Sequence, residues 1–246
     1  MEVDKIQRIP SYKLLADALV QNILEGKLRV GDALPTEAVL CDSFGVNRST
    51  VREGVRLLEE AGMLLRSGKK LLVSHPSREQ IGAQVQRAMV LKEVRIEELW
   101  EGLRILDPAL AELAALRRSD ASLELMEENL KETARALQEG RSVVQLDIEF
   151  HSLVAEAADN HALLVAREPL GQLLFPAFDI VMTKVQSAGK RLLAAHTAIY
   201  EAIKNRDAAG AKNWMEKHIE DFKRGYEVAG VDMRIPVAQA ASQKAA

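Results

Sequence analysis

The stretch "NRSTVREGVRLLEEAG", Asn47 to Gly62, determines the fold of the first part of this chain. Val51, Val55 and Leu58 are spaced at i, i+4 and i+7, so they form one apolar face of a helix. Asn47 is a suitable N-cap, because its side-chain oxygen can accept a hydrogen bond from an amide of the first helical turn. The three arginines of the segment project away from the apolar face and are therefore available to contact another molecule.

The segments on either side predict the remaining elements of a DNA-binding fold. Upstream, "YKLLADALVQNILEG" predicts a helix that stops at Gly26, and a short helix runs from about Thr36 to Gly45. Only one residue separates Gly45 from the N-cap of the next helix. Downstream, "MLL" and "LLV" are short strand candidates joined by the basic turn "RSGKK". This order of elements predicts a winged helix-turn-helix domain with a small β-hairpin over residues 1–75.

The polar face of the third helix is predicted to contact double-stranded DNA. In a helix-turn-helix, the helix after the tight turn enters the major groove, and its first turn reaches base edges. Guanidinium groups suit both phosphate and guanine because they present a rigid fork of donors. A solvated polar face is the alternative, but the tight turn, the neighbouring hydroxyls and the basic hairpin favour DNA. The predicted DNA-contacting residues are Arg48, Ser49, Thr50, Arg52, Arg56 and Lys69.

Composition limits the classes of protein to which the chain can belong. It has 246 residues, 48% of them apolar and 28% charged, which is typical of a globular protein with two modest domains. No run reaches the roughly 18 apolar residues of a membrane span, and the first ten residues are too charged for a secretory signal, so we expect a cytoplasmic protein without a membrane partner. The single cysteine excludes a disulfide framework and cysteine-rich zinc sites.

The rest of the chain predicts an all-helical second domain. Strand signals disappear after Pro76, so residues 76–90 are interpreted as a linker and the start of the first helix of this domain. Residues 91–229 predict a bundle of about six or seven helices. Residues 230–246 have no periodicity suited to packing and are predicted to be a disordered tail. The fold class is therefore mainly α.

Two histidines of the second domain lie on faces that are otherwise apolar. His196 shares a helical stripe with Ile199 and Ile203, and His218 follows Trp214 by four residues. Both stripes should face the interior of the bundle, so both imidazoles should be buried. A lone inward histidine is usually a core residue with its own hydrogen-bond partner, which is the alternative interpretation for each.

A carboxylate and a third histidine complete a possible metal site. Asp147 and His151 are four residues apart, and Val154 continues the same face inward. A carboxylate inside a bundle is costly unless it is paired or coordinated, and one divalent cation would satisfy all four polar groups. Three nitrogens and one carboxylate oxygen suit zinc, nickel, cobalt or manganese better than calcium or magnesium. The predicted metal ligands are Asp147, His151, His196 and His218.

An arginine near this site has two interpretations. Arg104 lies in the middle of the first helix of the second domain, close in sequence to the apolar stripe. It could pair with an organic carboxylate whose oxygens also bind the metal. Alternatively, it is a surface arginine paired with Glu101 or Asp107.

With these residues identified, the chain resembles transcriptional regulators of the GntR superfamily, FadR subfamily. The winged-helix resemblance lies in "GKLRVGDALPTEAVLCDSFGVNRSTVREGVRLLEEAGML". The segments "DIEFHSLVAEAADN", "HTAIYEAIKNRDAAGA" and "MEKHI" are similar to the all-helical FCD effector domain of that family. Three departures stand out. Ala38 replaces a base-contacting arginine, the wing is reduced to "SGKKLL", and Asp107 stands where a glutamate is common.

The resemblance implies a regulator that responds to a metabolite. It implies a homodimer on a palindromic operator, and a repressor that a small organic acid releases from DNA. In the metal-binding branch, the residues matching the four predicted ligands hold the ion, for which zinc is our first expectation, and Arg104 matches an arginine that meets a carboxylate effector. Two other classes remain as alternatives. One is a metal-dependent hydrolase in the bundle, although Glu149, its one candidate base, should lie on another face, and the other is an adaptor that binds no metal.

Overall fold

The first compact unit of the protein is a winged helix-turn-helix. The computed structural model describes residues 9–174 and 178–242, and the chain divides into two compact units between residues 81 and 82. The elements of the first unit are α1 (Ser11–Leu24), α2 (Glu37–Phe44), α3 (Arg48–Glu60), β1 (Leu64–Ser67) and β2 (Lys70–Val73). This order confirms the predicted fold of the N-terminal domain.

The turn between α2 and α3 is built by the residues that the sequence indicates. Thr36 caps α2 by accepting a hydrogen bond from the amide of Val39, and α2 ends at Gly45, whose φ of 63° lies in the left-handed region. Asn47 caps α3, because its Oδ1 accepts a hydrogen bond from the amide of Thr50 at 2.8 Å. The two caps leave three residues between the helices, which sets the tight turn of the motif.

An apolar core and an antiparallel hairpin hold α3 in place. In the hairpin, Leu64 pairs with Val73 and Ser67 with Lys70, and Gly68 takes a positive φ in the turn. Apolar side chains from the three helices and both strands form the core: Leu15, Leu19, Leu40, Val51, Val55, Leu58, Leu64 and Val73. The apolar face of α3 is therefore buried, and its polar face is left exposed.

The second compact unit is helical throughout its described part, as predicted. Its elements are α4 (Arg78–Leu91), within which the division falls, α5 (Ile96–Arg117), α6 (Asp120–Gln138), α7 (Val144–Ala157), α8 (His161–Leu174), α9 (Asp179–Lys184), α10 (Ala188–Lys204), α11 (Ala208–Ala229) and α12 (Val237–Ser242). Helix α5 is central and packs against α7, α8, α10 and α11. None of the helices in the described ranges combines the length and apolar character that a membrane span needs.

The C-terminal segment differs from the sequence prediction. Residues 230–246 were expected to be disordered, but α12 forms and the chain leading to it packs on the bundle. The prediction is therefore wrong for residues 231–242, whereas residues 243–246 lie outside the described part.

The physical reason is that this segment completes the start of α5. The amides of Ile96 and Glu97 donate to the carbonyls of Ile235 at 3.2 Å and Met233 at 3.0 Å. First-turn amides of a helix have no partner inside the helix, so an adjacent strand-like segment satisfies them. Met233 and Val237 are also buried. Two apolar residues are too few to form a recognisable periodic pattern, so the sequence did not indicate that this segment packs on the bundle.

Candidate metal centre and nucleic-acid interface

Four buried polar side chains from three helices meet inside the second unit. Helix α7 carries Asp147 and His151 one turn apart, α10 carries His196, and α11 carries His218. One ligand atom of each residue lies within 4.8 Å of the others. The structure thus brings together the four residues that the sequence predicts as metal ligands.

The distances within the cluster suit one small cation. The Nε2 atom of His218 lies 3.1 Å from that of His151 and 3.2 Å from that of His196. Oδ1 of Asp147 lies 3.2, 3.8 and 4.0 Å from Nε2 of His196, His151 and His218. A tetrahedral ion with bonds of about 2.0–2.1 Å holds its ligands about 3.3–3.4 Å apart, and the observed distances lie on both sides of that value.

The chemistry of the donors supports the same conclusion. A ring nitrogen carries either one proton or a lone pair, so Nε2 of His218 can donate to only one of the two imidazole nitrogens that it faces, whereas a cation would accept a lone pair from each of the three rings. Oδ1 of Asp147 is buried and accepts no hydrogen bond from the described residues. Phe150 stacks on the ring of His196, with centroids 3.9 Å apart, and limits its rotation. These residues fit a divalent transition metal.

Burial also sets the protonation state of the cluster. It lowers the pKa of His196 and of His218 well below 6.5, and the charges of neighbouring histidines add to both shifts. Both imidazoles are therefore neutral at pH 7, which is the form that binds metal. Burial raises the pKa of Asp147, although nearby histidines and Arg167 act against it. A cation would favour the ionised carboxylate.

A second carboxylate and a buried arginine lie behind His151. Oδ2 of Asp107 lies 2.8 Å from Nδ1 of His151, and Nε of Arg167 donates to Oδ1 of Asp107 at 3.0 Å. With the proton on Nδ1 facing Asp107, the lone pair of Nε2 faces the cluster. Burial alone would raise the pKa of Asp107, but Arg167 and His151 outweigh it and lower the pKa from 3.8 to about 2.

Sequence reasoning missed this second layer, although a signal for it exists. Asp107 shares the inward stripe of α5 with Leu103 and Leu110, and Arg167 follows the buried Leu164 by three residues on α8. A charged side chain on an apolar stripe is unusual unless it is paired. The same argument that selected the histidines therefore applies to both residues.

Arg104 does not face the cluster, contrary to its predicted role in effector binding. Its side chain is 56% exposed and pairs with Glu220 at 2.7 Å. Its guanidinium also lies over the ring of Trp100 at 5.5 Å. Arg104 lies one turn from the buried residues Trp100 and Pro108, but its long side chain extends outward to Glu220 on α11. The alternative of a surface arginine describes its position, but its partner is neither Glu101 nor Asp107.

The predicted DNA-contacting residues lie on the exposed face of α3 and in the hairpin. Arg52 is 68% exposed, and its Nε lies 3.1 Å from Oε1 of Glu37. Arg52 and Lys69 line the same groove of about 540 Å³ between the helices and the hairpin. Arg48 and Lys69 belong to no ion pair within the described ranges. A polyanion could therefore approach this surface without displacing their partners.

The other residues of this face are partly engaged within the domain. The hydroxyl of Ser49 donates to Oδ1 of Asn47 at 2.7 Å, so it helps to fix the cap of α3. Arg56 is paired with Glu53 and Glu60 on the same helix. These partners lower the net positive charge that this face presents to DNA.

Comparison with known proteins agrees with both halves of this architecture. The family described as "Bacterial regulatory proteins, gntR family" matches residues 11–70, and the FCD domain matches residues 98–221. The chain belongs to the GntR family. Its FCD domain contains all four residues of the Asp/His cluster.

Relatives with described roles resemble this GntR-family protein along most of its length. It is 29% identical to the HTH-type transcriptional regulator LutR of Bacillus subtilis, over 83% of this chain and 97% of LutR. It is 24% identical to the HTH-type transcriptional repressor NanR of Klebsiella aerogenes, over 89% of this chain and 86% of NanR. Identity to the Glc operon transcriptional activator of Escherichia coli K12 is also 24%, over 89% and 90% of the two chains.

A solved structure has a similar fold. Streptococcus agalactiae GntR aligns with a TM-score of 0.63 and 29% identity, covering 87% of this chain and 99% of that one. This GntR-family protein is therefore a transcriptional regulator that binds DNA through its first unit and an effector through its FCD domain.

The hydrolase alternative has no support, since the family consists of regulators. The candidate base Glu149 is exposed and accepts a hydrogen bond from Asn129 at 3.1 Å.

Proposed function

We propose that this regulator is a cytoplasmic repressor that leaves its operator when a small organic acid binds at the Asp/His cluster. In this proposal the protein is a homodimer on a palindromic operator, and the resident ion is zinc, with nickel, cobalt and manganese as alternatives. The observation that carries the proposal is the buried set of three imidazole nitrogens and one carboxylate oxygen from α7, α10 and α11.

In this proposal the cluster residues hold a cation, and the cation in turn binds the organic acid. Asp147 and His151 on α7, His196 on α10 and His218 on α11 would hold the ion. When bound, a divalent cation would supply positive charge and, with a coordination number above the four protein ligands, a position for an acid's carboxylate oxygen. Because three helices provide the ligands, a change in their relative position is the natural consequence of binding a further anion. Such a ligand shifts the protein only if it binds two arrangements with different affinity.

The DNA-binding half of the proposal rests on the exposed polar face of α3. Arg48 and Arg52 would contact bases or phosphates, assisted by Ser49, Thr50 and Arg56, with Lys69 contributing from the hairpin. The relatives include both a named repressor and a named activator, so they do not decide the direction of regulation. Repression is our inference.

The test measures operator binding against metal and acid together. An operator is selected from a random DNA pool with zinc-loaded full-length protein, and its Kd is measured by fluorescence anisotropy with gluconate, glycolate or malonate added. At least one acid should weaken operator binding about tenfold or more, within the range of typical allosteric coupling. The acid should have no effect on metal-free protein.

The control compares two histidines that differ in position. His196→Asn removes a cluster ligand, whereas His161→Asn changes an exposed histidine at the start of α8. The acid effect should disappear in the first variant and persist in the second. An equal response of metal-free and zinc-loaded protein, or no response to any of the three acids, would overturn the proposal.

A further inference from the structure

An ion pair joins two of the helices that carry cluster histidines. Nε of Arg191, in the first turn of α10, donates to Oδ2 of Asp221 on α11 at 3.0 Å. Arg191 lies five residues before His196, and Asp221 lies three residues after His218. The Arg191–Asp221 ion pair therefore connects the segments that position two of the three imidazoles.

This ion pair lines both a small cavity and an open groove. The cavity adjoins the cluster at Asp147 and His218 and has a volume of about 10 Å³, room for about one water molecule. The groove lies between α10 and α11, includes Trp214, and has a volume of about 540 Å³. Arg191, His218 and Asp221 line both spaces. The groove and the cavity therefore adjoin at these three residues, and an acid that enters from the groove would meet the ion pair beside the cluster.

The charges around the groove leave Arg191 as the cation at its inner end. The other charged residues that line it are Glu216, Lys217, Glu220 and Arg224. Glu220 is already paired with Arg104 on α5, and Lys217 lies over the ring of Trp214 at 4.6 Å. Of these cations, only Arg191 also lines the cavity beside Asp147 and His218. An anion that reaches the cluster from the groove therefore passes its guanidinium.

We propose that Arg191 recognises the carboxylate of the effector, and that Asp221 occupies its guanidinium until the effector replaces it. This inference rests on the function proposed above. The cavity is too small for an organic acid, so side chains that line it must move for an acid to enter, and Asp221 is the one that holds Arg191. Because the effector's carboxylate replaces that of Asp221, Arg191 is paired with a carboxylate both before and after this exchange. The side chains of Arg191 and Asp221 are 39% and 34% exposed, so Asp221 can turn to water without leaving a buried charge unpaired.

The exchange also links binding to the position of the helices. While Asp221 is bound to Arg191, α10 and α11 are tied together beside the cluster. An acid bound to Arg191 replaces that tie by a bridge from α10 to the cluster itself. The two states thus differ in which groups hold α10, which is the differential contact that an allosteric ligand needs.

The test titrates zinc-loaded full-length protein with gluconate, glycolate and malonate by calorimetry, in the wild type and three variants. Arg191→Met should weaken binding of the recognised acid about 10- to 100-fold, because a charge-assisted hydrogen bond is lost. Asp221→Asn should tighten it about two- to fivefold, because an exposed competing ion pair is removed. Arg141→Met, which changes an exposed arginine paired with Glu132 and Glu139 away from the cavity and the groove, should leave it within twofold of the wild type. The zinc content should be equal in all four proteins.

The two proposals fail in different ways. If zinc-loaded wild-type protein binds none of the acids, the proposed function fails first. If the wild type binds an acid and Arg191→Met binds it equally, the assignment of Arg191 is overturned while the proposed function stands. If Asp221→Asn binds the acid no more tightly than the wild type, the competition by Asp221 is overturned. Tighter binding by Asp221→Asn cannot come from misfolding, so that variant decides the matter even where Arg191→Met is unstable.

Discussion

Asp107 links the Asp/His cluster to the buried guanidinium of Arg167. It lies between Nδ1 of His151 and the guanidinium of Arg167, which is 1% exposed. Gly171 makes room for that guanidinium, since a Cβ at this position would lie 3.0 Å from Cζ of Arg167. A buried charge is tolerated when it is paired and hydrogen bonded, so the three side chains depend on one another. The orientation of His151, a proposed metal ligand, is thereby set by side chains outside the four-residue cluster.

We expect Asp107→Asn to weaken zinc binding about 10- to 100-fold, because His151 loses the anionic partner that orients its ring and raises its basicity. The affinity is measured by competition with a chromophoric chelator. Glu112→Gln is the matched control, because Glu112 lies five residues further along α5 and pairs with Lys212 at the surface. Equal zinc affinity in Asp107→Asn and wild-type protein would contradict the positioning role.

Helix α3 combines two faces with different tasks. Val51, Val55 and Leu58 are buried and fix the helix in the first unit, which leaves its arginines exposed. The link between Arg52 and Glu37 orients the guanidinium along the groove before DNA is present. Since both side chains are largely exposed, that link is weak and DNA can compete for it.

We expect Arg52→Ala to reduce the free energy of operator binding by about 1–3 kcal/mol, the range for an arginine that reads a guanine. The measurement is an anisotropy titration at fixed salt. Arg234→Ala serves as the control, because Arg234 is another exposed arginine with a carboxylate partner, Asp232, in the second unit. Unchanged operator affinity in Arg52→Ala would remove this residue from the interface.

Residues far apart in sequence stabilise the second unit of the molecule. The segment before α12 supplies carbonyl acceptors to the first turn of α5, about 140 positions earlier in the chain. Met233 of this segment and Val237, the first residue of α12, are buried. The same α5 carries Asp107 and packs against the helices that hold the cluster. The C-terminal segment is thus part of the support of the site.

Deleting residues 231–246 should lower the free energy of unfolding of the FCD domain by about 3 kcal/mol or more, because two buried apolar side chains are lost. Urea unfolding followed by tryptophan fluorescence measures this, since both tryptophans, Trp100 and Trp214, lie in that domain. Deleting only residues 243–246 is the control and should leave the unfolding midpoint unchanged. Equal midpoints for both deletions would show that the packed segment contributes little.

Local signals in the sequence predict most of the elements and the four residues of the Asp/His cluster. Capping residues such as Thr36 and Asn47 act on amides three positions away, and helical spacing depends only on neighbouring turns, so both can be read without tertiary information. His196 and His218 were identified because an imidazole on an apolar stripe must be buried. The resemblance of the chain to the FCD domain leads to the same two histidines.

The position of each side chain around the cluster was decided only by the packed bundle. Arg104 on α5 and Arg191 on α10 belong to helices that pack around the cluster. Helical spacing alone does not show which of the two arginines borders the cavity. That depends on how α5, α10 and α11 are rotated about their axes, which the packing of many distant side chains determines together. The apolar stripe of α8 indicates that Arg167 is buried, but the sequence does not show that its partner is Asp107 on α5. The segment around Met233 was missed because its partners lie on α5, at a sequence distance over which periodicity carries no information.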